Sequence, residues 1–208
     1  MDQLQQVAIA AGLAWASGIR LYAAVFIVGV LGRVGWIHLP ADLVALEHNW
    51  VLAAAGVMGL AEFLADKVPG FDSVWDAVHT FIRIPIGALL AWGAMGDSTP
   101  ALQITAALLG GAITGGTHFA KAGTRAAINT SPEPFSNWTA SFGEDGMLLA
   151  GLWIAFHHPL VFLVLLALFF ALVIWLVPRL LRFLVRLWRR LSGPSRATDA
   201  GPVDRRVP

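Results

Sequence analysis

The chain has 208 residues, of which 57% are hydrophobic and only 13% charged, and its mean hydropathy is +0.70. A soluble domain carries about 25% charge, so a soluble single-core protein is set aside. The formal net charge is +1, and eight of the fourteen Lys and Arg residues lie at or beyond Arg179; this leaves no basic soluble domain for nucleic acid, and the lack of cysteine removes disulfides and thiol chemistry.

Crossing a bilayer as a helix takes about 20 mainly apolar residues, and six segments are candidates. The first covers residues 4–31 and is interrupted by Ser17-Gly18-Ile19-Arg20. It lacks a basic leading region and a small-residue cleavage pattern, so it reads as a retained helix rather than a signal peptide. The second covers 50–65. The third covers 78–95 and is kinked or started at Pro85. The fourth, 101–120, is glycine-rich, the fifth covers 141–156, and the sixth, 160–177, has neither charge nor glycine.

After Pro178, Arg179, Arg182, Arg186, Arg189 and Arg190 recur at helical spacing among Leu, Phe183, Val185 and Trp188. Residues 179–191 therefore read as an amphipathic interfacial helix attracted to anionic lipid, serving first as a topology anchor. Residues 192–208 are polar, contain Pro and Gly, and are expected to be disordered. The Lys/Arg bias places Lys67, Arg83, Lys121, Arg125 and the basic tail on the cytoplasmic side, with Arg33 opposite. Six crossings then put both termini in the cytoplasm.

The resulting fold class is an all-α polytopic membrane protein. Residues 1–178 form the transmembrane domain, divided at residues 96–100 into halves of about 1–96 and 101–178. Three crossings per half would make the halves inverted repeats, as in many transporters. Ser17-Gly18-Ile19-Arg20 would then correspond to Gly115-Gly116-Thr117-His118, and Glu62 with Asp66 to Glu144 with Asp145.

The polar residues are costly at bilayer depth and so carry the functional reading. A charge at mid-membrane costs about 2.5 kcal/mol or more. Arg20 needs a carboxylate such as Glu62 or Glu144, or a helix break that lets it contact a substrate. Glu62 and Asp66 share a helix face and repel unless a cation or proton lies between them. Asp72, Asp76, His79 and Arg83 fall within about 60° of one another on a helix; Asp72, Asp76 and His79 could hold a divalent cation, or the edge could simply face water. The pair Gly111 and Gly115 favours close helix packing, and His118, Lys121 and Arg125 extend a basic face beyond it. Asn129-Thr-Ser-Pro-Glu-Pro-Phe-Ser-Asn137-Trp138 cannot be a continuous helix because of its prolines; it reads as a re-entrant or capping loop that buries Phe135 and Trp138, with Ser136 or Asn137 capping the next helix. Glu144-Asp145 enters the fifth helix where its dipole favours acids. His157-His158-Pro159 reads as a turn. Phosphate-loop, dinucleotide, zinc-protease and nucleophile-elbow motifs are all absent from the sequence.

Ala61-Glu62-Phe-Leu-Ala-Asp66-Lys67-Val-Pro69, then Asp72-Ser73, Asp76, Arg83 and Pro85, resembles an uncharacterised family of small bacterial inner-membrane proteins. So does Asn129-Thr-Ser-Pro-Glu-Pro-Phe-Ser-Asn137 with Glu144-Asp145 downstream. The resemblance covers residues 5–177 and implies a multi-pass fold in a bacterial inner membrane, with no activity attached. A looser analogy exists to inverted-repeat cation/proton exchangers, whose acidic motifs are spaced differently.

The leading expectation is a small transporter or channel-like carrier for an ion or solute. Glu62, Asp66, Asp72, Asp76, Glu144 and Asp145 would hold a cation or protons, and Arg20, His118, Lys121 and Arg125 would neutralise them. One alternative is a metal-dependent membrane enzyme acting on a lipid or lipid-linked phosphate, with a divalent cation as cofactor at Asp72, Asp76 and His79. The other is an assembly scaffold whose charges all pair internally. The balance leans away from an enzyme. The expected partners are the bilayer, anionic lipid at the C-terminal helix, and further copies of the chain.

Overall fold

The computed structural model describes residues 1–68, 70–96, 98–129 and 134–191. The expected disorder of 192–208 and residues 130–133 of the Pro-rich loop lie outside them. The described residues are helical, without strands: α1 (Gln3–Arg33), a 3-10 turn (Ala41–Glu47), α2 (Asn49–Ala65), α3 (Phe71–Ala94), α4 (Pro100–Ile128), α5 (Pro134–His157) and α6 (Pro159–Leu191). They form two compact units, Met1–Leu168 and Phe169–Pro208. Among the described residues, α1, α3 and Pro159–Arg179 are each long and apolar enough to cross a membrane, and the bent pair of 3-10 turn and α2 is a fourth candidate.

Local sequence explains the helix starts. Asp2 caps α1 by accepting from the Gln5 amide at 2.7 Å. Thr99 does the same for α4, with Pro100 in the first turn, where its missing N–H costs nothing. Gly70 precedes α3 at φ 83°, a conformation glycine adopts freely. Pro85 does not start a helix, one of the two roles the sequence allowed it; α3 runs through it. Likewise α6 runs through Pro178, joining the sixth apolar segment to the basic one. Proline costs a single helical hydrogen bond, and the flanking apolar turns carry both helices across.

Unit Met1–Leu168 buries a set of charged side chains within its apolar core and exposes large apolar ones. Arg83 and Asp72 are fully buried, whereas Phe81 on the opposite face of the same helix is 84% exposed and Leu108 of α4 is 72% exposed. In water such an arrangement would cost rather than stabilise; against lipid tails it is the expected one. The polar edge of α3 therefore does not face water, as one sequence reading allowed. It faces α1, α2 and α4. Phe135 and Trp138 also reverse their expectation, being 80% and 50% exposed at the start of α5.

The largest departure from expectation is α1, which is not one straight helix. Its helical geometry breaks at Arg20, with φ −148° and ψ 90°. On the first half, Gly12 lies against Ala155 and Phe162, and Trp15 against Gly151, so this half runs antiparallel to α5. On the second half, Phe26 lies against Gly56 and Gly29 against Leu46 and Leu52, so this half runs antiparallel to α2. Met1 and Gln5 at the start of α1 then share one cavity with Trp36, Ile37 and His38 beyond its end. Thus α1 is a helical hairpin. Its open end lies with Ser98, whose hydroxyl donates to Gln6 at 3.3 Å, and with His157. Its tip, Ser17 to Arg20, lies where α2 ends and α5 begins. The fourth helix has no matching break, since α4 is continuous through Gly115-Gly116-Thr117-His118. The expected correspondence of that stretch with Ser17–Arg20 therefore fails at this feature.

Candidate functional site

Five helices bring their charges to the hairpin tip. Arg20 is 1% exposed. Its Nη2 lies 3.1 Å from Asp66 and 3.7 Å from Glu144, and its Nε lies 2.7 Å from Asp145. Nη2 also donates to the Ser141 hydroxyl at 2.8 Å and to the Ser141 carbonyl at 3.2 Å. Of the two partners expected for Arg20, Glu144 is present, while Glu62 is taken by Arg83.

The break in α1 frees backbone acceptors, and two cations use them. Arg83 Nη1 donates to the carbonyls of Gly18 and Ile19 at 3.3 and 3.2 Å. Lys121 Nζ donates to Ile19 O and to Asp66 Oδ2, each at 3.0 Å. The tip also requires a glycine. A Cβ on Gly18 would lie 2.6 Å from Thr114 O and 2.6 Å from Thr117 Cβ of α4, so only a residue without a side chain lets the two backbones meet.

Arg125 closes the α5 side. It grips Glu144 with both Nε (2.8 Å) and Nη2 (2.9 Å), the fork-on-carboxylate geometry that is strongest for such pairs. Its Nη1 donates to Asp66 O and to Asn137 O and Oδ1. Asn137 donates onward to Asn129 at 3.1 Å, and Asn129 donates to both oxygens of Asp72 at 2.9 and 3.1 Å. Lys67 lies at the rim, 3.0 Å from the Phe63 ring centre and 4.7 Å from that of Phe142, and donates to Ser141 Oγ at 3.3 Å. Burial and the neighbouring Arg20 hold its ammonium below the usual lysine range.

On the α3 side, Arg83 Nη2 contacts Glu62 Oε1 at 2.5 Å and Asp76 Oδ1 at 3.1 Å. His118 Nδ1 lies 3.4 Å from Arg83 Nη1, and His118 Nε2 lies 2.7 Å from Thr80 Oγ1, which donates to Asp76 O. A nitrogen facing a guanidinium N–H must accept, so the imidazole carries its proton on Nε2 and is uncharged. His118 therefore does not act as one of the neutralising cations.

The ten residues expected at an ion site thus lie in one connected cluster or at its edge, with His118 joining it as a neutral link. The metal candidates do not assemble. Asp72 is engaged by Asn129 and Ser73, and Asp76 faces Arg83. His79 bonds Trp75 O at 2.8 Å and packs between Trp75 and Tyr22. Among the described residues no three His, Asp or Glu side chains converge as a ligand set. Arg83, left out of the expected ion site although it shares the edge with Asp72 and Asp76, is a central member. Thr80, Asn129, Asn137 and Ser141 are not among the residues expected at the site; Asn129 and Asn137 bound the stretch that carries the family resemblance, whereas Thr80 and Ser141 carry no sequence signal that separates them from other polar positions.

The charges do not balance. Among the described residues, six carboxylates (Glu62, Asp66, Asp72, Asp76, Glu144, Asp145) face five cations (Arg20, Lys67, Arg83, Lys121, Arg125), an excess of one negative charge if all are ionised. Glu62 Oε2, Asp66 Oδ1 and both oxygens of Asp76 are buried and accept no hydrogen bond there.

No curated protein and no solved structure matches the chain. Over residues 7–179 it matches the family described as Domain of unknown function (DUF4126), and it belongs to that family.

Proposed function

Taking membership of a family defined without an activity as the premise, we propose that the chain is a small carrier for a cation in a bacterial inner membrane. The single observation behind this reading is the uncompensated negative charge buried beside a broken helix. Unwound backbone and ionisable groups at membrane depth are tolerated where they serve a pathway. The hairpin tip replaces the interface of two inverted halves as the place where the ion is held. Asp66, Glu62 and Asp76 would take the cation, while Arg20, Lys121 and Arg125 hold the empty site together.

The hairpin also revises the topology. Lys67, Lys121, Arg125 and the basic tail stay cytoplasmic by the Lys/Arg bias. Because α1 returns to the side it came from, Met1 joins Arg33 on the opposite face rather than lying in the cytoplasm. The basic end of α6 then meets the anionic inner leaflet, each Lys or Arg contributing about 1 kcal/mol near the surface.

Proteoliposomes containing the purified protein, loaded with a pH dye or a cation-selective dye, test the carrier reading. Cation flux driven by an imposed potential, reduced at least tenfold in Glu144→Gln and in Asp66→Asn, is expected; flux identical to empty vesicles overturns it. The density of internal pairs supports a second reading, a scaffold whose cluster only holds helices together. That reading predicts no flux but the same loss of stability in both variants.

A further inference from the structure

We propose that Glu62 and Asp76 form a dyad that binds one proton, which makes the proton the cation taken up at this site. Its role as cargo rests on the carrier reading, whereas its existence does not.

The cluster divides into two sets. Arg20, Lys121 and Arg125 surround Asp66, Glu144 and Asp145, three cations against three acids. Arg83 is the cation that faces both Glu62 and Asp76 at close range, and it meets both through the same nitrogen, Nη2. One guanidinium nitrogen thus serves two carboxylates in a place closed to water: Glu62 is 0% and Asp76 2% exposed. Two carboxylates so placed cannot both ionise cheaply, and one keeps a proton. The proton belongs on Asp76. Glu62 Oε1 accepts from Arg83 at 2.5 Å, whereas neither oxygen of Asp76 accepts a hydrogen bond from any described residue.

The other groups acting on the dyad do not remove the need. Lys121 of α4 stands 3.8 Å from Asp76 but only 3.0 Å from Asp66, where it is already committed. His118 of α4 is uncharged and accepts from Arg83. Asp66 at the end of α2 and Asp72 of α3 add negative charge, Arg20 of α1 is engaged with Asp66, Glu144 and Asp145, and Tyr22 of α1 is neutral. In the loading step a hydronium ion gives its proton to Asp76 Oδ2: one O–H bond breaks in hydronium, one forms on the carboxylate, and water leaves. Unloading is the reverse on the other face. The pair titrates as a unit.

Infrared spectroscopy of the purified protein tests the dyad. At neutral pH the wild type should show the carbonyl stretch of a buried carboxylic acid, shifted in heavy water, and Asp76→Asn should lose it. Raising the pH should remove the band and lower the melting temperature of wild type, because two negative charges then face one cation; Asp76→Asn should lack that alkaline fall. Absence of the band in wild type, or a band unchanged in both Asp76→Asn and Glu62→Gln, overturns the dyad. Should Asp76→Asn fail to fold, the wild-type band and its loss in Glu62→Gln or with alkali decide. Flux measured in parallel separates the two claims. Transport of another cation without the band overturns the dyad and leaves the carrier; the band without any cation flux overturns the carrier and leaves the dyad.

Discussion

Arg83 Nη1 donates to His118 Nδ1 across 3.4 Å, so a permanent cation fixes the tautomer of a buried imidazole. The second nitrogen then faces Thr80 Oγ1, at 2.7 Å, which can receive its proton. Nitrogen-15 NMR of histidine-labelled protein should show His118 as the neutral Nε2–H form at neutral pH. A doubly protonated ring there would mean that Arg83 does not face it. Asn is the closest test substitution, because its amide can both accept from Arg83 and donate to Thr80; His118→Phe, which leaves the Arg83 N–H without that acceptor, should be the less stable of the two.

Asp66, like Glu144, is shared by three cations, and it is the more deeply buried of the two, with Arg20 at 3.1 Å, Lys121 at 3.0 Å and Arg125 at 3.7 Å. Removing one partner from a buried ion network costs about 3–5 kcal/mol. Asp66→Asn should therefore lower the melting temperature in detergent sharply. Asp42→Asn, at an exposed position outside the cluster, should leave it nearly unchanged. Equal, small shifts would show that Asp66 is not a hub.

At Gly18 the first half of α1 touches the α4 backbone, while a Cβ on Gly123 would meet nothing within 4 Å. Overpacking of a close contact costs about 1–3 kcal/mol. Gly18→Ala is expected to destabilise by that order, whereas Gly123→Ala should be neutral or slightly stabilising. Urea or thermal unfolding in mild detergent reads both.

The natural chain has no cysteine, which makes single-cysteine labelling clean. Asp2→Cys and Trp36→Cys should react with an impermeant maleimide from the same face, and Val68→Cys from the other. All three residues are exposed. Labelling of Asp2→Cys and Val68→Cys from one face would mean that α1 crosses once.

The helices were legible in the sequence because their apolar runs are long. The polar edge of α3 was legible because Asp72, Asp76, His79 and Arg83 keep helical spacing. Which way that edge faces was not legible: periodicity gives the angle between faces, while the surroundings decide which is inside. Ser17-Gly18 beside Arg20 announced a break, but a break and a reversal share the same residues. The difference lies in the backbone angles of Arg20 and in contacts with Ala155, Gly151 and Gly56 far along the chain. Arg20 and Arg83 sort their carboxylates by three-dimensional reach, so the pairing of Arg83 with Glu62 and of Arg20 with Asp66 and Asp145 could not be chosen from spacing alone.

The hairpin imposes an order on biogenesis. Its tip leaves the ribosome before any of the carboxylates that hold Arg20, and Ser141, which receives that guanidinium, is 121 residues further on. A nascent chain must therefore shelter a charged bend until later helices arrive. A segment synthesised before its partners is thus the last to settle, and chains stopped at residue 128 should leave Arg20 open to solvent-borne reagents that cannot reach it in the finished protein.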